Sequence, residues 1–306
     1  MSVPLDFSFT RYLEAKKSID DRALSRHVLG TLTTHLPESY PEKPLEVLEI
    51  GAGIGTMIDR MMDWGILNHA DYTAVDLRSA NKAHAFRWLR CKSEKRGVRF
   101  SEISSDSWIL KGKDQQIQVN FITKDIFEFM VSEKRKWDLL VANAFLDLVD
   151  VPYTLPLLFS RLKREGLFYF TINFDGISIL EPPIDPELDR EILNLYHQTM
   201  DKRLISARPS GDSQTGRHLF SNLRNVGVRI LDAGASDWCI FPIGNIYPND
   251  EAYFLHFILN TIHRALENCP KLDVDSFRDW IAERHKQVER AELFYITHQL
   301  DFVGTI

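Results

Sequence analysis

Alternating glycines behind an acid stand in Glu49-Ile50-Gly51-Ala52-Gly53-Ile54-Gly55-Thr56, between an apolar run that ends at Ile50 and a helical pattern that follows. Glycines at such a junction let the backbone approach a ligand lying across the edge of a sheet. A dinucleotide fingerprint wants glycine where Thr56 stands, and a phosphate-binding loop needs Gly-Lys-Ser/Thr, which is absent. Glu49 repels a pyrophosphate and suits a ligand that carries an ammonium group. Asp76, 21 residues after Gly55 and followed by Leu77, ends the next apolar run. A carboxylate there can accept both hydroxyls of a ribose. Asp125 follows a third run beside Ile126 and Phe127. An acid in that company can hold the amino edge of an adenine while apolar side chains cover its faces. In order, the three acids ask for an amine, a ribose and an adenine.

That combination is S-adenosylmethionine, and these residues resemble the class I S-adenosylmethionine-dependent methyltransferases. Residues 49–55 match the family's first motif, Asp76 falls where its ribose-binding acid does, and Asp125-Ile126 resembles its adenine contact. The run 138–143 resembles the fourth motif. The similarity spans about residues 45–175, and 294–303 is similar to the family's antiparallel last strand. The resemblance implies an α/β, Rossmann-like fold with a seven-stranded, mostly parallel sheet, an antiparallel last strand and helices on both faces. It implies S-adenosylmethionine held by Glu49, Gly51, Ala52, Gly53, Gly55, Asp76, Leu77, Asp125, Ile126, Asn143, Ala144 and Phe145. Residues 1–40 are expected to form a helical extension acting as a lid. Residues 41–306 form the methyltransferase domain, with helical insertions at about 176–212 and 248–290.

A sulfonium methyl is already activated, so holding a nucleophile about 3 Å from it in line with sulfur supplies most of the acceleration. A protic nucleophile also needs a base. The stretch after Asn143 lacks the Asn/Asp-Pro-Pro-aromatic run of enzymes that methylate exocyclic base amines. Cys269-Pro270 reverses the order used at pyrimidine carbon 5, and no histidine pair has metal-ligand spacing. Asp147 is the candidate base. Tyr12, Asn173, Asp175, Arg217 and Trp238 are candidate substrate contacts, from the lid, the fifth strand end, the polar run 211–217 and the sixth strand. A small-molecule acceptor is favoured. The alternatives are an RNA or protein methyltransferase using a basic stretch at 82–99, and a non-catalytic module that binds the cofactor.

The elements that must position these groups read as strands and helices in alternation from about residue 45. Strands are expected at 45–50, 72–76, 119–123, 138–143, 167–173 and 228–232, with an extended piece at 237–241. Helices are expected at 80–95, 152–166, 187–205 and 216–225, with two more beyond Pro248. In the closing strand Phe294, Ile296, His298, Leu300 and Phe302 alternate, which predicts an inward face and a packed His298. The 306 residues carry 37 Lys+Arg and 43 Asp+Glu, a net charge of −6, which argues against a dedicated nucleic-acid binder. Yet 82–99 holds seven basic residues against one acid, with Phe86 and Trp88 interleaved. Three scattered cysteines form neither a disulfide framework nor a metal site. No spanning segment or signal peptide is read, so a cytoplasmic protein is expected.

Overall fold

The computed structural model describes residues 2–205 and 208–306. In chain order the elements are α1 (Phe9–Ala23), α2 (Arg26–His35), β1 (Leu45–Ile50), α3 (Thr56–Asp63), β2 (His69–Asp76), α4 (Ser79–Lys95), β3 (Arg99–Ser104), β4 (Ser107–Lys111), β5 (Gln116–Thr123), α5 (Ile126–Ser132) and β6 (Trp137–Asn143). After a 3-10 turn at Leu146–Leu148 come α6 (Val151–Phe159), β7 (Leu162–Glu181), α7 (Pro186–Asp201), β8 (Leu204–Ile205), β9 (Arg208–Pro209) and α8 (Thr215–Asn225). The chain ends with β10 (Arg229–Ala235), β11 (Trp238–Ile240), α9 (Glu251–Leu266), α10 (Val274–Glu289) and β12 (Phe294–Thr305).

The main sheet runs β10-β12-β7-β6-β1-β2-β5-β4-β3, with β11 beside β10 on the β12 edge. Its heart is β5-β2-β1-β6-β7, all parallel. β12 joins β7 antiparallel and β10 joins β12 antiparallel, which leaves β10 parallel to the heart. Buried on both faces, the central strands read as continuous apolar runs rather than as alternation. On β1 and β6, Val47, Leu139 and Val141 face a layer that contains Met57, Met61, Ala85 and Leu89 of α3 and α4, together with Val28 and Leu32 of α2. Leu48, Ile50, Leu140 and Ala142 face Phe129, Leu155, Leu158, Leu219 and Leu223 of α5, α6 and α8. Burying a side chain of this size contributes about 1.5–3 kcal/mol. A third cluster joins α1, α7, α9 and α10 over Trp238, Ile240 and Tyr295, and forms a helical cap.

Local signals set where the helices begin. Asp125, Asp150 and Asp185 cap α5, α6 and α7 by accepting amides of the first turn, and Pro152 and Pro186 stand in first turns.

Three expectations need correction. The sheet is wider than seven strands, because the β3–β4 hairpin extends its β5 edge and β11 its β12 edge. β3 is exposed and polar, so no apolar run marks it. β7 does not stop at Asn173 but runs to Glu181, pairing with β12 as an arm beyond the core. Up to the bulge at Asp301 the buried face of β12 is the other one: Tyr295, Thr297, Gln299 and Asp301 point in, while Phe294 is 46% exposed; beyond the bulge Phe302 is fully buried, as the pattern predicts. The arm's inner side meets the helical cap, which uses the polar residues. His298 is accordingly not a core histidine. Its Nδ1 lies 2.7 Å from Asp237 at the partly exposed edge. No described helix is long and apolar enough to cross a membrane.

Candidate functional site

The loop between β1 and α3 turns on Gly51, Gly53 and Gly55, whose φ values of 65°, 54° and 76° lie in the left-handed region. A Cβ on Gly51 would stand 2.5 Å from Cδ2 of Phe145, so the ring lies against bare backbone. The Gly53 amide donates to Asp76 Oδ2 at 2.8 Å. Asp76 Oδ1 accepts from the Arg78 amide at 2.8 Å and from Asn81 Nδ2 at 3.0 Å. Asp76 is therefore first a clamp on the glycine loop, and burial raises its carboxyl above the ordinary range. Oδ2 keeps room for one more donor. Beside it, Oδ1 of Asn81 is buried without a partner. A diol placed here meets two residues rather than the single acid expected from sequence.

Glu49 is 2% exposed and accepts the Tyr72 hydroxyl on Oε2 at 2.9 Å. Burial pushes its carboxyl up to about 8, against which the Tyr72 bond and the Arg60 charge are smaller effects. Asp125 spends Oδ1 on the amides of Phe127 and Glu128 at 2.8 and 3.3 Å, as the cap of α5, while Oδ2 stays uncommitted. Ile126 is buried beside it.

These groups line one cavity of about 1170 Å³. Glu49, Gly51, Ala52, Gly53, Asp76, Leu77, Asp125 and Ile126 form its glycine-loop end, with Asn143, Ala144 and Phe145 from the end of β6. Gly55 does not line it; it turns the chain into α3 against Leu89. Tyr12, Trp238 and Asp147 line the same cavity. The wall between the two ends carries backbone strain. Ala144 and the β-branched Ile172 take φ values of 50° and 57° at the ends of β6 and within β7.

Asn173, Asp175 and Arg217 lie off the cavity. Asn173 is fully buried in the sheet and donates Nδ2 to the Leu300 carbonyl at 2.8 Å. Asp175 receives Nε and Nη2 of Arg217, both at 2.9 Å, together with the Arg217 amide at 2.7 Å. That fork pins the start of α8 to β7 and leaves neither group for a ligand.

Asp147, in the turn after β6, receives no side-chain hydrogen bond, and its Oδ1 is buried and unpartnered. Burial raises its carboxyl to about 6; its own backbone amide and the charges of Lys16 and Arg203 offset only part of that. Over it sits α1. Lys16 pairs with Asp20 at 2.6 Å, both buried, and Asp20 also accepts Nε1 of Trp238 at 3.0 Å and Nη2 of Arg60 at 3.3 Å. Tyr12 stacks on Phe254 and Phe257 with centroids 5.4 and 4.2 Å away. Lys16, Asp20, Asn81, Ile172, Tyr196, Arg203, Tyr295 and Gln299 line the cavity and were missed as site residues. For Lys16 and Asp20 a signal existed, an i,i+4 pair on the apolar side of a helix. For residues brought in by the cap no spacing announces them.

The set fits the ligand that the sequence resemblance implies, since it offers a bare-backbone loop, unpartnered acceptors for a diol and a buried acid for an ammonium. Among the described residues no group of three or more His, Cys, Asp or Glu is placed to hold a metal.

No family model matches the chain, and no curated protein matches it. Solved structures do. A Bacillus halodurans protein whose assignment as a methyltransferase is provisional is 12% identical, with a TM-score of 0.49 over 90% of this chain and 97% of its own. The cyclopropane synthase MmaA2 of Mycobacterium tuberculosis is 9% identical, with a TM-score of 0.45 over 99% of this chain and 100% of its own. A SAM-dependent methyltransferase of Archaeoglobus fulgidus is 15% identical, with a TM-score of 0.41 over 97% and 99%. The parallel heart, the antiparallel β12 slotted between β7 and β10, and the glycine loop after β1 give this chain the Rossmann-like, class I methyltransferase fold.

Proposed function

We propose that the protein is an S-adenosylmethionine-dependent methyltransferase acting on a small-molecule acceptor. One observation carries the reading: a single cavity runs from the glycine loop to Asp147 beneath α1, α7 and α9. At about 1170 Å³ it exceeds the roughly 300–1,000 Å³ typical of a pocket for one ligand, which supports two occupants.

When bound, the cofactor supplies an activated methyl group. The chain's own residues do the rest. Asp76 and Asn81 meet the ribose hydroxyls, Asp125 and Ile126 the adenine, and Glu49 the ammonium end. Phe145 and the strained Ala144 wall the junction between the two occupants. The cap excludes water and orients the acceptor, which supplies the entropic part of the acceleration. Asp147 takes the acceptor's proton.

The basic stretch at 82–99 gives less support to a polymer acceptor. Lys82 pairs with Asp106, Arg90 with Glu94, and Arg96 with Asp59 and Asp63. Phe86 packs edge-on against Phe100 and Trp108, so it offers no face to a base.

Calorimetry with S-adenosylmethionine, S-adenosylhomocysteine and NAD tests the cofactor. Binding of the first two, weakened at least tenfold in Asp76→Ala, is expected. NAD binding alone rejects the reading. Transfer of labelled methyl into fractionated cell extract then separates small molecules from RNA and protein. No label in any fraction favours a binding module without catalysis.

A further inference from the structure

Beyond Asp147 the cavity changes character. Tyr12, Phe174, Tyr196, Met200, Phe257 and Tyr295 line it, contributed by α1, β7, α7, α9 and β12. Five of these six are aromatic. Burial holds the Tyr12 and Tyr295 hydroxyls well above their ordinary range and lifts that of Tyr196 to about 12, so all three stay neutral. Lys16 and Asp20 hold each other at this end. Arg203 donates Nε to the Ser210 carbonyl and Nη2 to the Asp147 carbonyl at 3.2 Å, and Arg208 lies over the Tyr153 ring. No side chain holds the Asp147 carboxylate, whose Oδ1 is buried without a partner.

A wall of this kind selects by apolar surface and by donors. A small polar acceptor leaves the rings uncovered, whereas burying an aromatic body against them recovers about 25 cal/mol per Å². A hydrogen-bond donor, in contrast, gives Asp147 the partner it lacks, and an unmatched buried acceptor costs about 1–3 kcal/mol. The volume left beside a cofactor leaves room for a molecule of several rings.

Resting on the methyl-transfer reading, we propose that the acceptor is a bulky aromatic molecule presenting a hydroxyl or amine to Asp147. The lone pair of that oxygen or nitrogen forms the new bond to the methyl carbon. The carbon–sulfur bond breaks with its electron pair going to sulfur, and the proton on the nucleophile passes to Asp147 and then to water.

Three probes of similar shape test this on the full chain saturated with S-adenosylhomocysteine: 2-naphthol, 2-naphthylamine and 2-fluoronaphthalene, titrated by calorimetry. At least one of the first two should bind ten times more tightly than the 2-fluoronaphthalene or better, and which one does separates an oxygen from a nitrogen acceptor. Asp147→Asn should narrow that gap at least threefold with S-adenosylhomocysteine affinity unchanged, which also reports that the variant is folded. Tyr196→Ala should weaken all three. 2-Fluoronaphthalene binding as tightly as the others, ethanolamine binding more tightly than any of them, or no naphthalene binding to the loaded protein would each overturn the proposal. Failure to bind S-adenosylhomocysteine is a different result, and it rejects the methyl-transfer reading itself.

Discussion

A carboxyl pushed to about 8 is mostly protonated at neutral pH, and Glu49 is in that position because burial outweighs the bond from Tyr72. Its ordinary value is 4.5, so between pH 4.5 and 8 the folded chain holds a proton that the unfolded chain has lost. Stability contributed by that proton is present below this window and is lost as pH rises through it. Glutamine keeps an acceptor for Tyr72 and has no charge to bury. Ligand-free Glu49→Gln should therefore match the wild type near pH 5 and melt at a higher temperature at pH 8. The same variant should bind S-adenosylhomocysteine at least tenfold more weakly. An ammonium against Glu49 lowers its pKa, so binding at pH 7 should release close to one proton. Calorimetry in phosphate and in Tris, whose ionisation enthalpies differ, reads that number. Equal heats in the two buffers, or parallel melting curves across pH, would remove Glu49 from the ligand's ammonium.

At the scale of elements, the register of β12 against β7 slips between Leu300 and Phe302. Asp301 stands in that slip, fully buried, and its two oxygens take amides from elsewhere. Oδ1 accepts the Ile172 amide at 2.8 Å, and Oδ2 accepts that of Ser25, where α1 gives way to α2, at 2.9 Å. One side chain thus ties the strained wall of the cavity to the junction of α1 and α2. Asp301→Ala leaves two buried amides unmatched at about 1–3 kcal/mol each. A fall in Tm of about 5 °C or more follows, at roughly 2–4 °C per kcal/mol for a chain somewhat smaller than this one. Faster hydrogen exchange at Ile172 and Ser25 should accompany it. An unchanged Tm would mean that water replaces the carboxylate. The bulge also shows why part of the molecule was hidden in its sequence. The central strands and the glycine loop depend on neighbours in the chain, so local pattern revealed them. The polar inner face of β12, the long arm of β7 and the edge strand β3 depend on which distant element covers them. Asp175 and Arg217 looked like site residues because each follows a sheet edge or a glycine, yet they satisfy each other.

Across the whole molecule, α1 is held by charges on two sides, joined on the α9 side by the rings of Tyr12, Phe254 and Phe257. Arg60 of α3, fully buried, donates to Asp21 at 2.5 Å, to Asp20 at 3.3 Å and to the Lys17 carbonyl at 3.3 Å. Lys17 reaches Asp21 at 2.6 Å and Asp59 at 3.5 Å, and Arg96 of α4 closes the chain on Asp59 at 2.7 Å. On the opposite side, Arg11 and Arg22 fork onto Asp250 and Glu251 at the start of α9. Removing one member of a buried ionic set costs about 3–5 kcal/mol, because the partners stay buried without their counter-charge. Arg60→Met keeps most of the packing and removes the charge that Asp20 and Asp21 share. If α1 opens separately from the sheet, that cost appears as a local event, with exchange across Phe9–Ala23 faster by at least about 100-fold, since 1.4 kcal/mol is tenfold. Amides of β1 and β2 should keep their protection. S-adenosylhomocysteine should slow α1 in the wild type and do so less in the variant, since Asp20 and Lys16 line the ligand's cavity. Equal acceleration of α1 and the central strands would instead make α1 and the sheet one cooperative unit, and the acceptor would then have to enter past α7 or α9.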